Sequence, residues 1–486
     1  MGGMARVVVV GAGLGGLAAA ARLAAGGHRV TVLEQGPEVG GKLGWVSRDG
    51  HAFDTGPSLV TLPQVFRDLF DATGDPLDDV LQLERLDPAV AYRFADGTRL
   101  AVPGTLDGVR EVLGPEWSAF LDRAAEIWRV TEQPFLRSPL RGARTLARLA
   151  RSSADVRTVA PWASLRKLGA QYLTDPHLRM LLDRYATYSG SDPRLAPAAL
   201  ATVPWVEQAY GSWYVRGGLH RLPLAVADRA RERGADVRTS SPVAEVLVEG
   251  GRVCGVGLAD GGRLAADVVV CNADAAALYG SLLPPGAPVR RARASLAAAT
   301  PSSSGFVLLL ALSGRTPDLA HHTVLFPADY DAEFDGLFTD PRPLPDPTVY
   351  VSAPDDPATR PDADSESWFV LVNAPRHGPV DWDAPGLADS YADDVLAVLA
   401  RRGLDVRDRV RWREVRTPAD LERATGSVGG SIYGTSSNGA SAAFLRPANA
   451  SPLRGLYLVG GSSHPGGGLP LVTLSAEIVA GLVGPA

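Results

Sequence analysis

Two glycine clusters near opposite ends of this 486-residue chain carry the residue types and spacings best suited to chemistry. In the first, the apolar run Arg6–Val10 leads into Gly11-Ala12-Gly13-Leu14-Gly15-Gly16 and then an Ala/Leu-rich stretch to about Ala25. Gly11 permits a tight turn, and Gly13, having no side chain, lets the backbone approach a pyrophosphate. Gly16 lets the following helix pack closely on the strand. The free N–H groups of the helix start, at Leu14 and Gly15, point at the phosphates. A second β-branched run, Val30–Leu33, ends in Glu34, whose carboxylate suits a ribose and repels a 2′-phosphate. The implied chemistry is dinucleotide binding, with NADP disfavoured.

In the second cluster the chain reads Gly460-Gly461-Ser462-Ser463-His464-Pro465-Gly466-Gly467-Gly468-Leu469-Pro470. Its glycines permit close backbone approach and positive φ. The helix after Pro470 aims its positive end at the loop, where an anionic reduced flavin ring is stabilised. His464 is the one titratable residue in the loop. Two readings stand equal: it orients the flavin or relays a proton, or it is a loop histidine bonded to backbone.

These clusters need a strand–turn–helix–strand unit at the N-terminus and a strand–loop–helix unit at the C-terminus. Between them the pattern predicts a hairpin over residues 90–102 turning at Asp96-Gly97, and mostly helix from about 106 to 235. A three-strand meander follows, Val243–Val248, Arg252–Leu258 and Arg263–Cys271, delivering Asn272. Strands at Phe306–Ala311 and Trp368–Val372 lie among Pro/Asp-rich loops, a helix spans about 387–401, and Leu456–Val459 is a strand before a helix from about Val472. The expected fold is α/β. A discontinuous dinucleotide-binding domain takes residues 1–90, 215–290 and 425–486, and a mixed α+β substrate domain with a helical membrane-docking region takes 91–214 and 291–424.

Past Glu34 and Gln35, the glycine pair Gly40-Gly41 followed by Lys42 resembles the extended fingerprint of flavoproteins that bind FAD, and the meander resembles that completing the FAD half of glutathione-reductase-like folds. The whole chain resembles a carotenoid desaturase of the bacterial phytoene desaturase type, within the flavin amine oxidase superfamily. The matching pieces are the opening unit through Gly44, FDTGPSLVTLP at 53–63, DRYATYSGSDPRLAPA at 183–198, WYVRGGLHRLPLAVADRARERGADV at 213–237, GGSIYG at 429–434 and LYLVGGSSHPGGGLPL at 456–471. Lys42 stands where Arg is more usual. The glycine-rich HPGGGLPL loop is more similar to relatives acting on later carotenoids, including hydroxylated or shorter chains.

The resemblance implies non-covalent FAD, held by Gly11, Gly13, Leu14, Gly15, Gly16, Glu34, Gln35, Gly41, Lys42, Gly56, Pro57, Ser58, Val243, Asn272, Gly460, Gly461, Gly468, Leu469 and Pro470. It also implies an apolar tunnel for a long isoprenoid polyene and peripheral docking on a membrane. Desaturation then proceeds by hydride transfer to flavin N5 with proton loss from the adjacent carbon, and electrons pass on to quinone or O2. The protein's task is to position the polyene and keep the site dry, which agrees with the lack of a Ser/His/Asp or paired-carboxylate arrangement. Asp183, Arg184 and Tyr185, with Tyr188, either line the tunnel near the reacting end or form a buried ion pair with aromatic packing. A carotenoid cis–trans isomerase on the same fold is the alternative. An amine oxidase is disfavoured by the absence of an evident aromatic pair in the C-terminal motif, and a non-catalytic carotenoid carrier by two flavin motifs framing a substrate domain.

A formal net charge of -6 argues against general affinity for nucleic acid. Cys254 and Cys271 sit in apolar runs and read as small core residues in a reducing cytosol; no group has metal-ligand spacing. Against the acidic whole stands a basic segment from Arg137 to Lys167, with eight bases and only Asp155 as an acid. Arg137, Arg141, Arg144, Arg148 and Arg151 fall on one helical face. Anionic lipids on the inner face of the membrane are the expected partner of Arg141, Arg144, Arg148 and Arg151.

Overall fold

The computed structural model describes residues 3–140, 153–439, 442 and 446–486. The valine-rich opening strand, Arg6–Val10, is the centre of a five-stranded parallel sheet. The strand order is Leu456–Leu458, Val268–Cys271, Arg6–Val10, Arg29–Leu33, Asp236–Arg238, and Val7 sits in register with Val268 on one side and Val30 on the other. A strand this apolar must be covered on both faces. Val7 and Val9 pack into a core shared with helices Leu14–Ala25, Arg221–Glu232 and Leu469–Val483. Val8 and Val10 point the other way, onto Val246, Val253 and Val256 of the meander, as the two-residue side-chain period of a strand requires.

Two expectations change here. Arg263–Cys271 is not one strand: Arg263–Ala265 closes the meander and Val268–Cys271 joins the parallel sheet. Asp267 makes the switch. Its carboxylate accepts from the Arg6 backbone N–H at 2.9 Å and from the Arg6 guanidinium at 2.8 and 3.1 Å, and its own N–H donates to the Arg6 carbonyl at 2.9 Å. Cys254 is exposed, not core, because strand alternation turns it out between buried Val253 and Gly255; Cys271 is buried.

A second, seven-stranded sheet runs Val410–Arg416, Ser304–Ser313, Ser365–Ala374, Val349–Ser352, His322–Leu325, Val90–Arg93, Arg99–Val102. The two ten-residue strands at 304–313 and 365–374 pair along their whole length. The predicted hairpin forms its edge, Val90–Arg93 against Arg99–Val102. Helices Leu106–Thr131, Pro176–Thr187 and Thr202–Tyr210 build a separate core around Trp117, Phe120 and Tyr185.

Candidate cofactor and substrate site

Both glycine clusters open into one cavity of about 1170 Å³. Helix Leu14–Ala25 starts at Gly13 and helix Leu469–Val483 at Gly468, three residues earlier than the apolar pattern predicts. Pro470 falls in the first turn of the latter, where a missing N–H costs nothing. Neither helix start has a side-chain cap, so two sets of free N–H groups and two positive dipole ends serve the cavity.

Of the expected cofactor residues, Gly11, Gly13, Leu14, Gly15, Glu34, Gln35, Gly41, Lys42, Gly56, Pro57, Ser58, Val243, Asn272, Gly460, Gly461, Gly468, Leu469 and Pro470 line the cavity. Gly16 does not. A Cβ there would lie 2.2 Å from the Gly11 carbonyl oxygen, so its role is helix-on-turn packing. The side chain of Asn272 explains three other glycines. A Cβ on Gly13, Gly15 or Gly460 would come within 2.7, 2.9 and 2.5 Å of its amide. Asn272 thus wedges the two glycine clusters together across adjacent parallel strands. The Gly40-Gly41 turn also lies against the first cluster, with Gly40 N–H donating to the Ala12 carbonyl at 2.9 Å. Glu34 accepts from the Ala12 and Gly36 N–H groups at 2.7 and 2.9 Å. A carboxylate retains lone pairs beyond these two bonds. A Cβ-free floor, uncapped helix starts and a carboxylate at the end of the second strand fit a dinucleotide.

Lys42 donates to the Ser431 and Ile432 carbonyls at 3.1 and 2.6 Å. Burial pulls its pKa down to about 8, with Asp274 offsetting part of the effect. Arg446 donates to the carbonyls of Tyr433, Gly461 and Thr435, each at 2.8 Å, and burial lowers it to about 10. Burial raises Asp274, against the pull of Lys42. Asp274, Tyr433 and Arg446 line the cavity, as do Arg416, Thr417, Asp420, Ala424 and Thr425. No local signal in the sequence marks these: Tyr433 lies inside GGSIYG and Asp274 two residues past Asn272, whereas the segment from 416 to 425 reads only as a charged helix and its flank.

Away from the glycines the walls turn apolar, with Trp128, Leu136, Val203, Val206 and Leu371. A charged cluster interrupts them. The Tyr188 hydroxyl donates to Glu207 Oε2 at 2.9 Å and accepts from Arg184 Nη1 at 3.0 Å, while Tyr185 donates to Glu207 Oε1 at 2.7 Å. Arg184, Tyr188 and Glu207 line the cavity; Asp183 and Tyr185 do not. Burial pulls the Arg184 guanidinium down, but the surrounding tyrosine and Glu207 oxygens more than offset it, so it stays charged. Asp183 points away, to Arg166 at 2.8 Å, and burial raises it to about 6 despite that partner. Closer to Pro57, Ser58 is hydrogen-bonded to the Tyr350 hydroxyl, which also bonds His322 Nδ1 at 2.8 Å.

His464 does not face the cavity. Its Nε2 lies 2.8 and 3.0 Å from the Phe135 and Ser138 carbonyls, its ring packs edge-on against Phe135, and burial lowers its pKa to about 4. It ties the loop of the second glycine cluster to the helical turn Glu132–Leu136 and its flank. A role for His464, Asp183 or Tyr185 on a bound molecule is therefore corrected to one of support. Arg141, Arg144, Arg148 and Arg151 lie outside the described residues. Two other members of the basic segment are already paired, Arg137 with Glu132 at 3.3 Å and Arg166 with Asp183 and Asp331. Among the described residues no helix is long and apolar enough to cross a membrane.

Residues 14–483 match the family model described as flavin containing amine oxidoreductase. The chain is 34% identical over 489 residues to a 4,4'-diapolycopene oxygenase of Methylomonas sp, covering 98% of this chain and 97% of that one. It is 36% identical over 497 residues to a hydroxyneurosporene desaturase of Rubrivivax gelatinosus, covering 98% and 92%. Among solved structures, putrescine oxidase bound to putrescine superposes with a TM-score of 0.67 at 18% identity, covering 99% of each chain, a likeness of fold.

Proposed function

From the premise that this chain belongs to the flavin-containing amine oxidoreductase family, with FAD as its cofactor, we propose that it is a carotenoid desaturase introducing C=C bonds into an acyclic polyene. One observation carries the reading: the glycine clusters and an apolar chamber share a single cavity of about 1170 Å³. The relatives named for action on carotenoids match over nearly their whole length.

Bound FAD supplies a two-electron acceptor. The chain's own residues bind, orient and exclude water. Gly13, Leu14 and Gly15 hold the pyrophosphate on free N–H groups, and Glu34 takes the ribose. Lys42 and the loop from Gly460 to Pro470 hold the ring end. Trp128, Val203, Val206 and Leu371 press the polyene against it and keep water out. Loss of a hydride from one allylic carbon to the two-electron acceptor would leave a cation delocalised along the polyene; the neighbouring carbon then sheds its proton to water or a wall oxygen as the C=C bond forms, so no strong base is needed at the wall. We assign residues 1–90, 215–290 and 425–486 to the flavin half, with quinone or O2 as the final electron acceptor.

A polyene has negligible solubility in water, so its entrance belongs at a membrane. Val159 and Pro161 line the cavity, and the next residue, Trp162, which lies between Arg157 and Arg166 in the chain, is 66% exposed. An exposed Trp next to bases suits a lipid headgroup region. Trp162→Ser is expected to release the protein from anionic vesicles in a flotation assay; unchanged flotation rejects this entrance.

The function is tested with anaerobic visible spectra before and after adding an acyclic carotenoid in anionic liposomes, followed by product mass. Flavin bleaching with a red-shifted polyene two mass units lighter is the expected result. An unchanged mass would replace desaturation with isomerisation, and oxygen gained in a parallel aerobic incubation would replace it with oxygenation.

A further inference from the structure

Arg184 is 7% exposed yet faces an apolar chamber. Of its guanidinium, only Nη1 is bonded, to the Tyr188 hydroxyl at 3.0 Å and the Tyr92 hydroxyl at 3.3 Å. Among the described residues Nε and Nη2 have no hydrogen-bond partner. The aromatic rings of Tyr188 and Tyr92 lie 5.0 and 5.7 Å from its central carbon, which leaves the donor edge for the cavity. Neither atom is among the enclosed donors that lack a partner, so both open onto the cavity, where water or a ligand satisfies them. The site does not call for an anion, because Tyr188 already links the guanidinium to Glu207 and the local charge is balanced.

We infer that Arg184, held by Tyr188 and Glu207, binds an uncharged oxygen at one end of the substrate polyene, a hydroxyl or a carbonyl. This rests on the proposed polyene substrate and adds which class of polyene the enzyme selects. A hydrocarbon end would leave Nε and Nη2 unfilled, whereas an oxygen lone pair satisfies them. Glu207 can in addition accept from a hydroxyl but not from a carbonyl, so the two oxygens are distinguishable.

The test compares FAD-loaded protein on acyclic polyenes of equal length ending in hydrocarbon, hydroxyl or carbonyl. The first readout is polyene binding, from the shift of its absorption; the second is kcat/KM. The parent is expected to favour the oxygenated ends by about tenfold or more, the scale of one hydrogen bond to a charged group. Arg184→Met should bring the ratio close to one, and Arg184→Lys should restore part of it. Glu207→Gln, which keeps the side-chain shape, should lower the preference for hydroxyl over carbonyl. Flavin content and Tm are measured for each variant, so that a failure to fold is recognised and Arg184→Lys then carries the test. Equal binding of the three polyenes by the parent overturns the inference, as does an unchanged ratio in Arg184→Met. Loss of FAD from Arg184→Met with the ratio intact would overturn it too, in favour of a flavin contact. Selective binding without turnover would sustain the inference and refute desaturation.

Discussion

Gly13 has ordinary backbone angles, φ -69 and ψ 166, so alanine there meets no backbone strain. Its Cβ would lie 2.7 Å from Asn272 Nδ2, and the Asn272 amide has little room to retreat because it also abuts Gly15 and Gly460. Overpacking of this kind costs about 1–3 kcal/mol. The apoprotein relieves the strain by displacing the glycine turn, and FAD binding must restore the turn. The cost therefore appears in the dissociation constant as a loss of roughly five- to 150-fold. Asn272→Ala removes the obstacle. Gly13→Ala/Asn272→Ala is expected to regain the parent Tm but to remain about tenfold or more weaker for FAD, since the methyl group still occupies the pyrophosphate's approach. Titration of the apoprotein with FAD, followed by flavin fluorescence, gives the affinity. FAD bound by Gly13→Ala as tightly as by the parent would refute the close approach. Recovery of both Tm and affinity in the double variant would reduce Gly13 to a packing partner of Asn272.

Lys42 titrates near 8 instead of 10.5, so between those values the unfolded chain holds the extra proton and apoprotein stability rises with pH. Over the same window the site loses its positive charge. FAD affinity of the apoprotein should therefore fall by up to about fivefold from pH 8 to 9, and Lys42→Met should be weaker at pH 7 with a flat profile by the same titration. His464 is depressed from 6.5 to about 4, so its contribution to stability is fully present above pH 6.5 and is lost as pH falls towards 4. That contribution amounts to about 3 kcal/mol at most. His464→Gln keeps a donor for the Phe135 or Ser138 carbonyl. It should flatten the acid limb of the Tm–pH curve while turnover per bound flavin stays close to the parent's; a large loss of turnover would return His464 to the chemistry.

What the sequence determined by itself is local. Positive φ at Gly11, the helix starts at Gly13 and near Pro470, the place of Glu34 at the end of a strand and the hairpin at Asp96-Gly97 all depend on backbone sterics within a few residues. Such constraints can be read wherever the residues are read. Tertiary structure decided which side chains face the cavity. Asp183, Arg184 and Tyr185 are consecutive on one helix and read as one cluster, yet the helix turn sends only Arg184 to the cavity wall, and Asp183 is taken by Arg166. His464 looked the most chemical residue of the flavin loop, and burial against the Phe135 and Ser138 carbonyls turned it into a tie. Arg446 and the segment from 416 to 425 reach the site only by long-range packing, and no local signal marks them. The depressed pKa of Lys42 has the same origin: its charge depends on how much water the fold removes from around it, a quantity that exists only once distant segments have closed over it.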